Sequence, residues 1–365
     1  MIRILQVGLK SNPGGMENCI MNYYRNINKD KYSFYFVDNY DEGLAYESEI
    51  IESGGVVYRL PNIKVDTIRN ILGYYKLLKK GSFDIVHINM LSAANILTVI
   101  ATIVFSCSKI IVHSHNSSLP SGLLRKLFHN VNVHILRMLK IEKFACGIKA
   151  GVWMWGKNFD QTKILYNAID TTRFVKCKEI RRKIRECCGF VDKDIVLGFV
   201  GRLSEQKNPL FLIEVLKILS NRNNKYKLLI VGDGELKSAL VNKANNLNIL
   251  DSIYFAGVQE DTSIWYQAMD VFLLPSLFEG FPVVSIEAQA IGLPCFFSSS
   301  ITDEVKLTNN VYFCDLKEKA EFWCNEIEKV LKSNNAIDLL PEAFDIKVAT
   351  KSIEKVYSDI RFNGE

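Results

Sequence analysis

Two acidic and two basic side chains in the second half of this 365-residue chain have the types and the spacing for chemistry. Glu279 and Glu287 stand eight positions apart in "PSLFEGFPVVSIEAQAIGLP", an otherwise apolar run from 275 to 294. Carboxylates are seldom buried without partners, so a run of this kind needs something for them to hold. Glu279 falls in a turn, "FEGF", after the apolar strand "VFLLPSL". Pro282 suits the first position of the following helix, which puts Glu287 about a turn and a half into it. Both carboxylates are then placed to accept hydrogen bonds from sugar or ribose hydroxyls. Plainer roles are a helix-dipole partner for Glu279 and a buried ion pair for Glu287. Upstream, "FVGRLSEQKNP" sets Arg202 and Lys207 in one loop between an apolar strand and a helix starting at Pro209. A guanidinium fork and an ammonium at a helix start suit a diphosphate, although a solvated loop also carries such charges.

The N-terminal half has two further loops of interest. In "VGLKSNPGGMEN", Gly14 and Gly15 precede a helix, where glycine lets a ligand approach the backbone and the helix end favours an anion. The loop matches neither the P-loop nor the dinucleotide fingerprint, and a plain strand-to-helix turn explains it equally well. In "VHSHNSS", His115 ends a strand and can face a ligand. His113 and His115 are expected to point apart unless the strand bends, which disfavours a two-histidine metal site and makes His113 a structural, hydrogen-bonded residue. In "VGDGEL", Gly232 and Gly234 flank Asp233, and Lys237 stands where a dinucleotide fingerprint needs glycine, so a tight turn is expected.

These loops need elements to position them. The chain alternates short apolar runs with helical segments, the pattern of parallel sheets covered on both faces. "IRILQVGL", "YSFYFVDN", "FDIVHINM", "KIIVHSHN", "FACGIKA" and "KILYNAID" read as strands of a first domain. A polar, basic connection and surface helix follow between about 170 and 194. The alternation then restarts with "IVLGFVGRL", "YKLLIVGDGEL", "IYFAGV", "VFLLPSLFEGF" and "PCFFSS". The expected boundaries are 1–170 and 171–343, with a closing helix over 344–361 returning to the first domain. Its apolar positions are Phe344, Val348, Ile353, Val356 and Tyr357. Ligands of such sheets sit beyond the carboxyl ends of the strands, in the loops named above.

Composition narrows the class. Apolar residues make up 48% and charged residues 23%, as in an ordinary globular protein. A net charge of +5 does not by itself point to nucleic acid. The nine cysteines, an odd number with no CxxC pair, argue against a disulfide framework or a zinc site and for a cytosolic setting. "MIRILQVG" reads as a strand, not a signal peptide. "AANILTVIATIVFSC", 93 to 107, is too short for a membrane span and is read as a buried helix.

Taken together and in order, "GRLSEQKNP", "LLIVGDGEL", "YFAGV" and "SLFEGFPVVSIEAQAIGLP" resemble the retaining GT-B glycosyltransferases of family 4. "SNPGGMEN", "HSHNSS", "WMWG" and "YNAID" look like the branch that builds bacterial capsular polysaccharides and exopolysaccharides. The resemblance spans about residues 2 to 360. It implies an α/β GT-B fold, two doubly wound Rossmann-like domains facing across a cleft. It also implies sugar transfer from a nucleotide-diphosphate donor, a UDP-sugar above all, to a sugar or lipid-linked sugar. By position, Gly14 and Gly15 would admit the donor diphosphate, and Arg202 and Lys207 would neutralise it. Glu287 would hold the ribose and Glu279 the donor sugar. The backbone at Val258 would meet the base, and His115 would lie beside the reacting sugar. Gly280, Phe281 and Val283 would complete the donor loop. Many relatives carry glycine where Pro282 stands, which leaves the amides of Val283 and Val284 for any anion contact there. No metal or other cofactor is implied, because the two cations take the metal's place.

Two alternatives stay open at this point: a nucleotide-sugar epimerase on the same fold, and an inactive partner subunit of another transferase. A membrane contact is also suggested by "LLRKLFHNVNVHILRMLKIEK", 123 to 143. Leu124, Leu127, Val131, Ile135 and Met138 recur at helical spacing beside Arg125, Lys126, Arg137, Lys140 and Lys143. Such a helix suits the anionic inner face of the plasma membrane, or it is a core helix with a solvated basic side. Asn130 and Asn132 are expected to divide it in two.

Overall fold

A computed structural model describes residues 1–117, 119–333 and 338–362; Ser118 of the "HSHNSS" motif thus lies outside the described residues. The chain forms two compact units, residues 1–168 with 343–365, and residues 169–342. Unit 1 runs β1 (Ile2–Val7), α1 (Gly15–Asn26), β2 (Tyr32–Asp38), α2 (Glu47–Glu52), β3 (Val56–Arg59), α3 (Thr67–Gly81), β4 (Ile85–Met90), α4 (Leu97–Phe105), β5 (Lys109–Ser114), α5 (Leu123–Met138), β6 (Glu142–Ala145) and α6 (Ile148–Trp155). Unit 2 holds α7 (Lys178–Cys187), β7 (Ile195–Val200), α8 (Leu210–Arg222), β8 (Tyr226–Val231), α9 (Lys237–Asn246), β9 (Ile253–Gly257), α10 (Ser263–Tyr266), β10 (Val271–Leu274), α11 (Val283–Ala290), β11 (Cys295–Ser298), β12 (Val311–Cys314) and α12 (Ala320–Lys332). The last helix, α13 (Ile346–Phe362), belongs to unit 1.

Each unit is built on a six-stranded sheet whose neighbouring strands run parallel, ordered β3-β2-β1-β4-β5-β6 in unit 1 and β12-β11-β10-β7-β8-β9 in unit 2. Strands such as "IVLGFV" and "VFLL" are apolar throughout because helices cover both faces. In unit 1, α1, α2 and α13 pack one face, and α3, α4, α5 and α6 pack the other. Strand order reverses between β1 and β4, and between β7 and β10. In sheets of this kind, loops part at such a switch point, at the strands' carboxyl ends.

Several local expectations are corrected. "FACGIKA" is strand only as far as Ala145; Gly147 caps α6, which takes the rest. "KILYNAID" is not a strand: the Asp160 carboxylate accepts from the Thr162 amide and starts a 3-10 turn, leaving only isolated bridge residues, Ile164, which pairs with Ala145, and Ile169. The four-residue strands β3 and β12 were not anticipated. α4 is not buried all round, since Val104 is exposed. Pro282 caps α11 from an extended conformation, one place before the helix begins. In α13 the inward positions are Ile346, Ala349, Ile353 and Tyr357, whereas Val348 is exposed and Phe344 lies in the turn before.

The connecting helix α7 is also more than a surface helix. Arg185 on it is buried and donates to the carbonyls of Ala268, Val191, Asp192 and Asp194, and to the Asp270 carboxylate at 2.5 Å. Arg181 takes the other Asp270 oxygen at 2.5 Å, and the Val196 amide of β7 donates to the same carboxylate. One carboxylate thus joins α7, β7 and the start of β10. Replacing Arg185 with Met removes every one of its hydrogen bonds from a buried place and is expected to cost on the order of 3 kcal/mol in urea denaturation. Arg182→Met, on the exposed side of the same helix, is expected to cost under about 0.5 kcal/mol. Equal losses would refute the role given to Arg185.

Candidate active site

The loop after β7 and the loop after β10 meet at the switch point of unit 2. Lys207 Nζ lies 2.6 Å from Glu279 Oε1, with side chains only 17% and 8% exposed. Two further bonds hold the same loops together: the Leu277 amide donates to the Gln206 carbonyl at 2.8 Å, and Gln206 Nε2 donates to the Phe278 carbonyl at 3.0 Å. Glu279 is therefore more than a plain dipole partner: one of its oxygens is engaged in a sheltered ion pair. That pairing, across 72 positions of sequence, was not anticipated.

The loop of Arg202 and Lys207 is also tied to the loop after β8. The Leu203 amide donates to the Asp233 carbonyl, and the Leu236 amide to the Leu203 carbonyl, both at 2.9 Å. This contact demands glycine. A Cβ on Gly232, whose φ is +127°, would stand 2.1 Å from the Gly201 carbonyl oxygen; one on Gly234 would stand 2.5 Å from that of Leu203. "VGDGEL" is thus a tight turn that grips its neighbour. Arg202 itself is exposed at the rim, 3.3 Å from Glu235 Oε2. An exposed pair of this kind is weak, so the guanidinium can exchange partners at little cost.

Glu287, on α11, accepts from the Tyr266 hydroxyl of α10 at 2.7 Å. Burial pushes its carboxyl above the usual carboxylate range, against the opposing hydrogen bond from Tyr266 and the charge of Arg173. Arg173 is paired with Asp261 at 2.8 Å. Tyr266, Arg173 and Asp261 had no signature in the sequence. Of the other donor-loop residues, Phe281 and Val283 are buried, which leaves their backbones for a ligand, and Gly280 is half-buried. Val258 is exposed just after Gly257.

In unit 1, Gly14 caps α1 and Gly15 is its first residue; a Cβ on Gly15 would meet nothing within 4 Å, so the space beside it is open. The histidine expectation is corrected. His113 and His115 are two apart and share a face, as residues i and i+2 of a strand do, with ring centroids 4.0 Å apart. His87 on β4 joins them, 5.5 Å from His113. Desolvation holds all three neutral, with His113 down to about 3. The Asn89 amide nitrogen donates to Gln6 Oε1 and the Val7 carbonyl, so Asn89 Oδ1 faces His115 Nε2, at 2.9 Å, as the acceptor. His115 Nε2 then carries the proton, and Nδ1 is a buried lone pair with no partner among the described residues.

Comparison with known proteins identifies the family. Residues 180–344 match the family model described as glycosyl transferases group 1. EpsF of Bacillus subtilis, named as a glycosyltransferase, is 30% identical over 90% of this chain and 87% of its own. The UDP-Gal:α-D-GlcNAc-diphosphoundecaprenol α-1,3-galactosyltransferase of Escherichia coli is 26% identical over 82% and 81%. Among solved structures, Anabaena HepE in complex with UDP and glucose superposes with a TM-score of 0.77 at 17% identity, covering 98% of this chain and 100% of that one. The likeness shows the GT-B fold. It favours neither the epimerase nor the inactive-subunit alternative.

The ion pair can be tested without substrate. Lys207→Met and Glu279→Gln should each cost about 2–3 kcal/mol of stability by leaving one sheltered charge alone, and the double variant should cost clearly less than their sum. Additive losses would mean that the two side chains do not act as a pair.

Proposed function

Since this chain belongs to the group 1 glycosyl transferases and is a glycosyltransferase, we propose that it moves a sugar from a UDP-sugar, with retention, onto a sugar or lipid-linked sugar in the assembly of a surface polysaccharide. The observation that carries the site assignment is the Lys207–Glu279 pair at the switch point of unit 2, with Arg202 in the same loop. In this reading the bond from the anomeric carbon to the phosphate oxygen breaks, and the diphosphate leaves with the electron pair. The acceptor hydroxyl bonds to that carbon on the same face, and its proton passes to the departing phosphate. Lys207 and Arg202 stabilise the developing charge, which is the role a metal ion takes in other transferases.

Each remaining residue has a task matched to its state. Glu279, held by Lys207, receives hydroxyls of the donor sugar. Glu287 accepts from the ribose diol, and the backbone at Val258 meets the base. Gly280, Phe281 and Val283 contribute backbone contacts. In unit 1, Gly14 and Gly15 leave room for the diphosphate at the start of α1. His115, neutral and with a free Nδ1 lone pair, suits a hydroxyl donor and not a phosphate.

Lys207→Ala is expected to lower kcat/KM on the order of 100-fold, about 3 kcal/mol of transition-state stabilisation, in a UDP-release assay run in EDTA. Unchanged turnover, or wild-type activity that appears only with manganese or magnesium, would overturn the assignment. Titrating UDP binding against pH separates the glutamates. A carboxyl raised by burial loses its charge earlier on acidification, so UDP affinity should fall as pH drops through a midpoint above the ordinary value of 4.5, and Glu287→Gln should remove that step. A Glu279→Gln enzyme that loses the same step instead would reverse the roles.

The membrane contact rests on α5. It is one continuous helix ending at Met138, not two; Lys140 lies beyond it, and Lys143 Nζ donates to the Arg137 carbonyl at its end. Leu124, Leu127, Val131, Ile135 and Met138 are 69, 57, 52, 40 and 87% exposed, whereas His129, Val133 and Leu136 face the core. An apolar face turned to solvent favours the bilayer reading over the core helix. No described helix is long and apolar enough to cross a membrane. The proposed location is therefore peripheral, at the cytoplasmic face. Cosedimentation should show salt-sensitive binding to phosphatidylglycerol vesicles and little to phosphatidylcholine. An Arg125→Glu, Lys126→Glu variant that binds like wild type would remove α5 from the contact.

A further inference from the structure

A second basic feature lies in unit 1 and shares no residue with those assigned above. A pocket of about 670 Å³ opens beside α3, between it, the end of β3 and the start of β1. That volume suits a small organic ligand. Its cations are Arg3, Arg59, Arg69, Lys76 and Lys80. Glu47 pairs with Arg59 at 2.5 Å, and Asp66 with Arg69 at 3.3 Å. Lys76 and Lys80 make no ion pair among the described residues. Arg3 is held with its guanidinium 5.0 Å from the Tyr35 ring centroid and 5.7 Å from that of Phe83, and its Nε is buried with no hydrogen-bond partner among the described residues. Three such cations around one cavity repel one another, and an anion between them would relieve the repulsion.

The rest of the lining is apolar: Leu60, Leu72, Leu77 and the ring of Tyr58. A small hydrophilic anion would leave these side chains wet. The outward face of α3 continues the apolar surface, with Ile68, Leu72 and Tyr75 exposed at helical spacing. α3 belongs to the same helical layer as α5, and Tyr75 packs edge-on against Phe105 at the end of α4, beside exposed Val104. Cations over an apolar wall match an anionic head joined to a hydrocarbon chain. We propose that this pocket binds the phosphodiester head of an anionic phospholipid, with Arg3, Lys76 and Lys80 on the phosphate and an acyl chain along Leu60, Leu72 and Leu77. The inference builds on the membrane reading of α5 but rests on a separate set of residues.

The test uses the full chain and vesicles of phosphatidylglycerol diluted into phosphatidylcholine. Lys76 and Lys80 are both exposed, so Lys76→Gln, Lys80→Gln should fold normally, which a thermal melt checks. This variant is expected to bind the vesicles about tenfold more weakly than wild type. Leu72→Gln, which changes no charge, should also weaken binding. A control with the same charge change on exposed residues of unit 2, Lys193→Gln with Lys225→Gln, should bind like wild type. A loss in the control equal to that in the α3 variant would reduce the effect to net charge and overturn the site. If the α5 variant stops binding while the α3 variant and Leu72→Gln match wild type, the membrane reading survives and this inference fails. If the α3 variant weakens binding and the α5 variant does not, the pocket stands and α5 falls. Stabilisation by millimolar inorganic phosphate that needs Lys76 and Lys80, without any vesicle effect, would assign the pocket to a soluble anion and overturn the lipid.

Discussion

A lysine ammonium and a carboxylate share a sheltered space at the end of the second sheet, and the candidate site is arranged around that contact. Removing two charges from water is costly, and their mutual attraction offsets the cost only when geometry is tight and neighbouring groups are satisfied. The Lys207–Glu279 pair meets the first condition at 2.6 Å. The bonds through Gln206 fix the two loops to each other but give the Glu279 carboxylate no hydrogen bond of its own, so the ion contact with Lys207 carries its burial. The loop after β8 supports the first loop from behind, and it fits only because Gly232 and Gly234 have no side chains. The charges of this pair are thus held in place by the fold itself, so a ligand that used them would need little ordering on binding.

Unit 1 offers the opposite electrostatics. Its polar centre is a run of neutral groups, from Tyr357 through Gln6 and Asn89 to His115. Each hydrogen bond fixes the direction of the next, and the last member is left with a lone pair and no proton to give. The second unit's candidate loops carry cations, whereas this network in the first unit is uncharged.

Much of this was legible in the sequence, and the gaps have physical causes. Long apolar strands such as "IVLGFV" announced themselves because burial on both faces leaves no room for polar residues. β3 and β12 escaped notice because they are edge strands whose middle residues are only partly buried, so neither shows the signature of a strand covered on both faces. "KILYNAID" has a strand's composition, with Leu165 and Ala168 buried as in a strand, but a side-chain cap at Asp160 turns the chain first. Glu279, Glu287, Arg202 and Lys207 stood out by type and spacing. Their partners did not, since Tyr266, Glu235 and the Lys207–Glu279 contact are set by which strands become neighbours. The histidines were misread through a wrong use of the two-residue period. The direction in which α5 turns its leucines is decided by which residues meet the sheet, and alternation of type does not reveal that.

The placement of α13 bears on how the molecule is made. Its Ile346, Ala349, Ile353 and Tyr357 fill the face of the first sheet opposite α3, and Tyr357 bonds both Gln6 and His87. More than 170 residues of unit 2 separate this helix from the rest of its core. On the ribosome, the first sheet is therefore finished long before the helix that seals it emerges. During that interval an apolar face and His87 lack the helix that covers them while the second unit is made. The order of synthesis makes unit 1 the last part of the enzyme to mature, although most of it is translated first.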